Sequence, residues 1–170
     1  AALLPDEPEV LGLAALVRLA EARRPARLDA DGAMVPLPEQ DVAEWRAEPI
    51  AEAALLLDRA AAMRRTGPRQ ILAAIHAAHA SRLQTGVTPW REIAALYEAL
   101  ATLRPGPVVA VNRAVAIGHA RGPQAGLAAL EAGERLEAWL PWQAARAWLF
   151  ARAGRAEDAK DAYRAALALN

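Results

Sequence analysis

The stretch GRAEDAKDAYRAALALN, residues 154–170, decides how the rest of the chain is read. Ala and Leu recur in it at helical spacing, with Asp158, Lys160, Asp161 and Arg164 between them. That spacing predicts an amphipathic helix over 155–169, opened after Gly154. Moved back by 33 residues, the stretch meets counterparts. Tyr163 falls on Leu130, and Leu130 falls on Tyr97. Arg146-Ala147 falls on Arg113-Ala114, and Ala159 falls on Gly126, so a small residue stands four places before the large one. Pro105 closes the first of these units, eight residues past Tyr97.

Helix pairs repeating at 33–34 residues are the signature of a tetratricopeptide-like array, in which small residues let two helices approach and a large one fills the gap. The fit is partial. The early Trp of that motif is missing, and Arg113 and Arg146 stand where Leu is usual. A helix over 68–82 joins the series only if the loop after it is longer than standard. The competing architecture is an irregular helical bundle without a groove.

Composition favours helix throughout. The chain has 170 residues with one Phe, two Tyr and no Cys, and is rich in Ala, Leu, Arg and Glu, which are strong helix formers. This length suits one domain that buries roughly 70% of its unfolded surface. Twenty basic residues balance twenty acidic ones, so the phosphate-neutralising drive of a nucleic-acid binder is absent unless charge segregates. Arg18, Arg23, Arg24 and Arg27 form one basic stretch and Arg64, Arg65 and Arg69 another, and both are expected to be solvated faces. Without Cys there is no disulfide framework or thiolate metal site, which fits a cytoplasmic location. Arg113 and His119 interrupt the most apolar run, so no membrane span is expected. The chain opens AALLPDEPEV, with neither Met nor a charged-then-apolar leader, and is expected to be a piece of a longer protein.

Punctuation by Pro and Gly sets the element order. Pro5 or Asp6 opens a first helix carrying Val10, Leu13, Leu16, Val17 and Ala20, and Pro25 stops it. Asp31-Gly32 between short apolar arms predicts a small β-hairpin at 26–38, kept short by Pro36 and Pro38. A short helix at 41–47 and a longer one from Pro49 to about 64 follow, since Pro is tolerated only in a first turn. Further helices are expected over 68–82, 89–103, 107–119, 123–135 and 141–153. The whole is predicted to be all-α: N-terminal helices with the hairpin over about 1–66, then tetratricopeptide-like pairs over about 67–170.

No constellation calls for catalysis, and the expectation is no enzyme, no cofactor and no metal. His76 and His79 lie one turn apart, a spacing that can hold a metal, but no third ligand is near in sequence. Ser81, the only Ser, lies two residues past His79 and points to another side of the helix. Asp29-Ala30-Asp31-Gly32 lacks the remaining ligands of a calcium loop and reads as a turn. The candidate partner-binding residues are Asn112 and Arg113, on the first helix of a repeat unit, together with Arg146 and Trp142. An amide and a guanidinium on such a wall suit a partner's backbone or carboxylate. Trp139, Trp142 and Trp148 cluster within ten residues, with core packing as their default role.

Four segments in order, LLPDEPEVLGLAAL, RRPARLDADGAMVPLPEQDVAEW, AAIHAAHA and IAALYEALATLRPGPVVAVNRAVAIG, resemble the C-terminal extension of bacterial extracytoplasmic-function RNA polymerase sigma factors. The resemblance covers nearly the whole chain. It departs from the family by Pro49 within a usually continuous helix, and by ending at Asn170 before the tail common in the family. It implies a regulatory protein-interaction domain in transcription initiation. The implied partners are RNA polymerase core, the sigma domains of the same protein, or a signalling protein or peptide. DNA would be contacted only by upstream domains absent from this chain. A free-standing peptide-binding adaptor is the alternative that the helical array itself leaves open.

Overall fold

In a computed structural model of the chain, residues 7–169 are described. They are helical, with no strand among them: α1 (Pro8–Ala22), α2 (Ala47–Ala62), α3 (Pro68–Ala80), a single turn α4 (Arg82–Thr85), α5 (Trp90–Leu103), α6 (Pro107–Arg121), α7 (Pro123–Glu131), α8 (Leu140–Arg152) and α9 (Ala156–Leu167). Proline stands at the start of α1, α3, α6 and α7, where its missing N–H is no loss. Pro49 sits in the first turn of α2. The opening expected at Pro5 or Asp6 lies outside the described residues. The helix expected at 41–47 is only a 3-10 turn, Val42–Glu44, capped by the Asp41 carboxylate at Ala43 N.

The predicted β-hairpin is reduced to one isolated antiparallel bridge, Leu28 to Met34. The turn itself forms: the Asp29 carboxylate accepts from the N–H groups of Asp31 and Ala33, and Gly32 takes the left-handed conformation with φ 81°. The arms are too short to become strands. Pro25–Arg27 is a 3-10 turn on one side and Leu37–Glu39 another on the other, and Pro36 and Pro38 have no N–H for a ladder.

The chain divides into two compact units, Ala1–Pro89 and Trp90–Asn170. The first unit includes α3, which packs on α1. In the first unit α1 contacts both α2 and α3. Its core gathers Ala15, Leu19, Trp45, Ala53, Ala73 and Ala80. A Cβ on Gly12 would stand 2.8 Å from the Gln70 backbone nitrogen, so α1 meets the first turn of α3 backbone to backbone. The Glu9 carboxylate accepts from Arg69 N at 3.0 Å and Gln70 N at 3.2 Å, capping a helix whose own N-cap is Gly67. The irregular segment is held by Arg82, whose guanidinium donates to the carbonyls of Pro38 and Gln40 and lies over the Trp45 ring.

The second unit runs α5 to α9, each helix packing on the next, with α6 also touching α8. Helix starts recur: Trp90, Pro123 and Ala156 for α5, α7 and α9, and Pro107 and Leu140 for α6 and α8. Gly118 of α6 and Gly126 of α7 face each other, and a Cβ on either would lie 2.5 Å from Leu149 Cδ2 of α8. Three helices therefore meet at one notch. Leu130 is buried by this packing, whereas Tyr163 on α9 is 46% exposed. Tyr97 is intermediate between them.

Gly12→Ala is expected to destabilise the protein by about 1–3 kcal/mol, because the neighbour that must yield is helix backbone; a urea midpoint equal to that of the parent would refute this. His76 supplies a second expectation. Its Nδ1 lies 3.0 Å from Arg23 Nη2, and burial first, then Arg23 and Arg27, lower its pKa to about 4. Between that value and 6.5 the unfolded chain binds a proton that the folded chain refuses. The resulting stability is complete above pH 6.5 and is lost as pH falls, by roughly 2 kcal/mol from pH 7 to pH 5. Urea unfolding across that range should show the loss, and His76→Gln should make the slope shallower by that amount. A slope unchanged by the substitution would remove His76 from the account.

Candidate functional site

Trp142 sits in the first turn of α8, 2% exposed, with its ring in the core formed by Val111, Leu127, Leu130 and Phe150. Its indole N–H is buried and has no hydrogen-bond partner among the described residues. One turn on, the Arg146 guanidinium carbon lies 5.6 Å from the Trp142 ring centroid and 4.9 Å from that of Phe150. The spacing of 142, 146 and 150 along one helix face produces this stack, and a guanidinium over aromatic rings is attracted to their π faces. Arg155 covers the Phe150 ring as well, at 4.4 Å.

Two clefts share Trp142. One, of about 280 Å3, is lined by Glu131, Arg135, Trp142 and Arg146. The other, of about 220 Å3, is mostly apolar and is lined by Pro107, Ala110, Val111, Leu130, Glu134 and Leu136 among others. A charged cleft beside an apolar one suits a segment with one polar and one apolar edge. The structure thus brings Arg146 and Trp142 together. Asn112 is exposed on α6 and Arg113 is half-buried, and neither lines these clefts.

One constellation had no signal in the sequence beyond three separate aromatic residues. The His119 ring lies parallel to Trp90, with centroids 3.7 Å apart and 3° between planes, and 4.4 Å from Trp148. Arg152 covers the far ring at 5.3 Å. Burial, and then the Arg152 charge, lower the His119 pKa to about 4. A neutral imidazole between two indoles is a stacking element. Trp139 and Trp148, both half-buried, pack against the same core as Trp142.

The remaining candidates have structural partners. His76 is engaged by Arg23, and among the described residues no group of three His, Asp or Glu side chains is placed to hold a metal ion. The Ser81 hydroxyl donates to the Ala78 carbonyl at 2.9 Å. Arg24 pairs with Glu21, Arg65 with Glu7 and Arg69 with Glu9. These fit the expected solvated faces, but Arg23 does not. It is only 7% exposed. No described helix is long and apolar enough to cross a membrane.

Residues 1–61 match a family described as of unknown function, DUF6596. The chain is 46% identical over 168 residues to the uncharacterized protein R00370 of Rhizobium meliloti (strain 1021), covering 98% of this chain and 40% of that protein. No solved structure matches. The chain therefore spans well under half of the curated relative it resembles.

Proposed function

We propose that this chain is a tetratricopeptide-like, regulatory protein-interaction domain of an extracytoplasmic-function sigma factor, modulating transcription initiation in the cytoplasm. Its partners on this proposal are RNA polymerase core or the sigma domains of the same longer protein. The observation that carries the array is the spacing of helix starts at Trp90, Pro123 and Ala156, with Pro107 and Leu140 between them. Buried small residues repeat at the same interval: Ala114 with Gly126, then Ala147 with Ala159. Gly126 meets the Ala114 carbonyl where α6 and α7 cross, which is the use of small residues such an array requires. The unequal exposure of Leu130 and Tyr163 follows from position, since α8 covers α7 and α9 is the last described helix.

The sigma-factor assignment rests on the four ordered segments quoted above. A relative more than twice as long as this chain is compatible with additional domains in the same polypeptide. The Trp142–Arg146 clefts supply the contact surface. A partner there shifts the population of active initiation complexes by binding one state better than another.

Two measurements test the proposal. The coding sequence upstream of Ala1 is expected to encode a helix-turn-helix, and a start codon with a ribosome-binding site at that point would overturn the assignment. In reconstituted transcription, removing residues 1–170 from the longer protein is expected to change promoter-dependent output. Arg146→Glu, which reverses the charge at the cleft, is expected to move output in the same direction. Equal output with and without the region would refute a regulatory role.

A further inference from the structure

Arg23 is the one charged residue buried among the described residues. Its Nε donates weakly to the Leu19 carbonyl, at 3.5 Å, and its Nη2 lies against the His76 Nδ1 atom. No described ion pair includes it. A buried guanidinium without a counter-charge is costly, and a group in that state is normally found beside an acid. Here burial, and then the charge of a second cation, Arg27, both act against the Arg23 charge. Arg27 follows on the 3-10 turn Pro25–Arg27 and anchors its Nη2 to the Ala20 carbonyl at 3.0 Å. Leu19 and Ala20 are successive carbonyls near the end of α1, so both guanidinium groups are tethered to the last turn of that helix. Arg24, between them in sequence, is neutralised by Glu21. The carbonyl end of a helix supplies about half a negative charge, well short of two full positive ones.

We infer that the C-terminal end of α1 is an oxyanion-binding site, in which Arg23 and Arg27 hold a phosphate or carboxylate group and His76 orients the Arg23 guanidinium from behind. Arg27 is exposed, so the ligand reaches the pair from solvent on that side. The choice of an imidazole behind Arg23 fits this role. A carboxylate in its place would neutralise Arg23 internally and abolish its attraction for an external anion, whereas a neutral ring accepts one N–H and leaves the charge intact. Burial and the two arginines hold His76 neutral. This site does not depend on the sigma-factor assignment, and lies in the other compact unit from the Trp142 clefts.

The test follows the His76 ring by NMR in the 170-residue chain while inorganic phosphate or, in a separate arm, acetate is added at constant ionic strength against chloride. A saturable shift of the His76 resonances and an upward move of its titration are expected, since an anion beside the arginines favours the imidazolium. Arg27→Gln should weaken the binding about tenfold, the loss of one charge-assisted contact. Arg24→Gln should leave it unchanged. Tighter binding of phosphate identifies a phosphoryl ligand and tighter binding of acetate a carboxylate. Absence of saturation with both anions would overturn the inference, as would equal weakening by Arg24→Gln and Arg27→Gln. Retention of the helical circular dichroism in both variants separates these outcomes from unfolding.

Discussion

Helices in each unit of this protein touch at backbone distance, and the contacts depend on residues without a side chain. In the second unit Gly118 and Gly126 form a notch that Leu149 fills, and Leu149 has no exposed surface at all. In the first, Gly12 brings α1 against the opening turn of α3. Interiors are packed to crystal-like density, so a single methyl at such a crossing forces a shift of backbone. Glycine in a helix interior carries an entropic cost relative to alanine of about 1 kcal/mol. Its placement at these three positions offsets that cost through close packing. Alanine performs the same service at Ala15, Ala53, Ala114 and Ala147, all fully buried.

Small residues also shape what is left for recognition. A core built largely of alanine concentrates its large side chains at few places, and Trp142 and Phe150 are the largest of those fully buried. Arg146 lies across both rings and bounds a cleft with Arg135 and Glu131. The charged cleft there adjoins the mostly apolar one at Trp142. Elsewhere the described ion pairs lie mostly at the surface, some between near neighbours in sequence, as Arg155 with Asp158 and Lys160 with Glu157, and others between helices, as Arg18 with Glu52. Pairs of that kind contribute little to stability. Arg23 differs from all of these residues in being buried while taking part in no described ion pair.

Much of this architecture was legible in the linear sequence, for identifiable reasons. Helix boundaries followed Pro and Gly, because those residues act locally: the expected starts at Pro68, Pro107 and Pro123 are the observed ones. The Asp31-Gly32 turn was visible for the same reason. The hairpin around it was overestimated, since whether arms pair beyond one bridge depends on how the prolines route them. The helix predicted at 41–47 shortened to a turn because Trp45 is drawn into the core beneath Arg82. Of the four candidate binding residues, Trp142 and Arg146 share a helix face and were brought together by helical spacing alone. Asn112 and Arg113 lie on another helix, and their relation to that face was a matter of packing.

The sequence by itself determined the helical class, the starts of most helices and the interval of 33 between them, because these depend on local propensity and on residues that punctuate the chain. Tertiary structure alone decided the rest. It buried Arg23 out of a stretch that reads as a solvated face, and set His76 against it from 53 positions away. It stacked His119 on Trp90 and near Trp148, and assigned α3 to the first unit. Each of these turns on which faces meet when helices cross, and a crossing is chosen by the packing of the whole core, which no local pattern encodes.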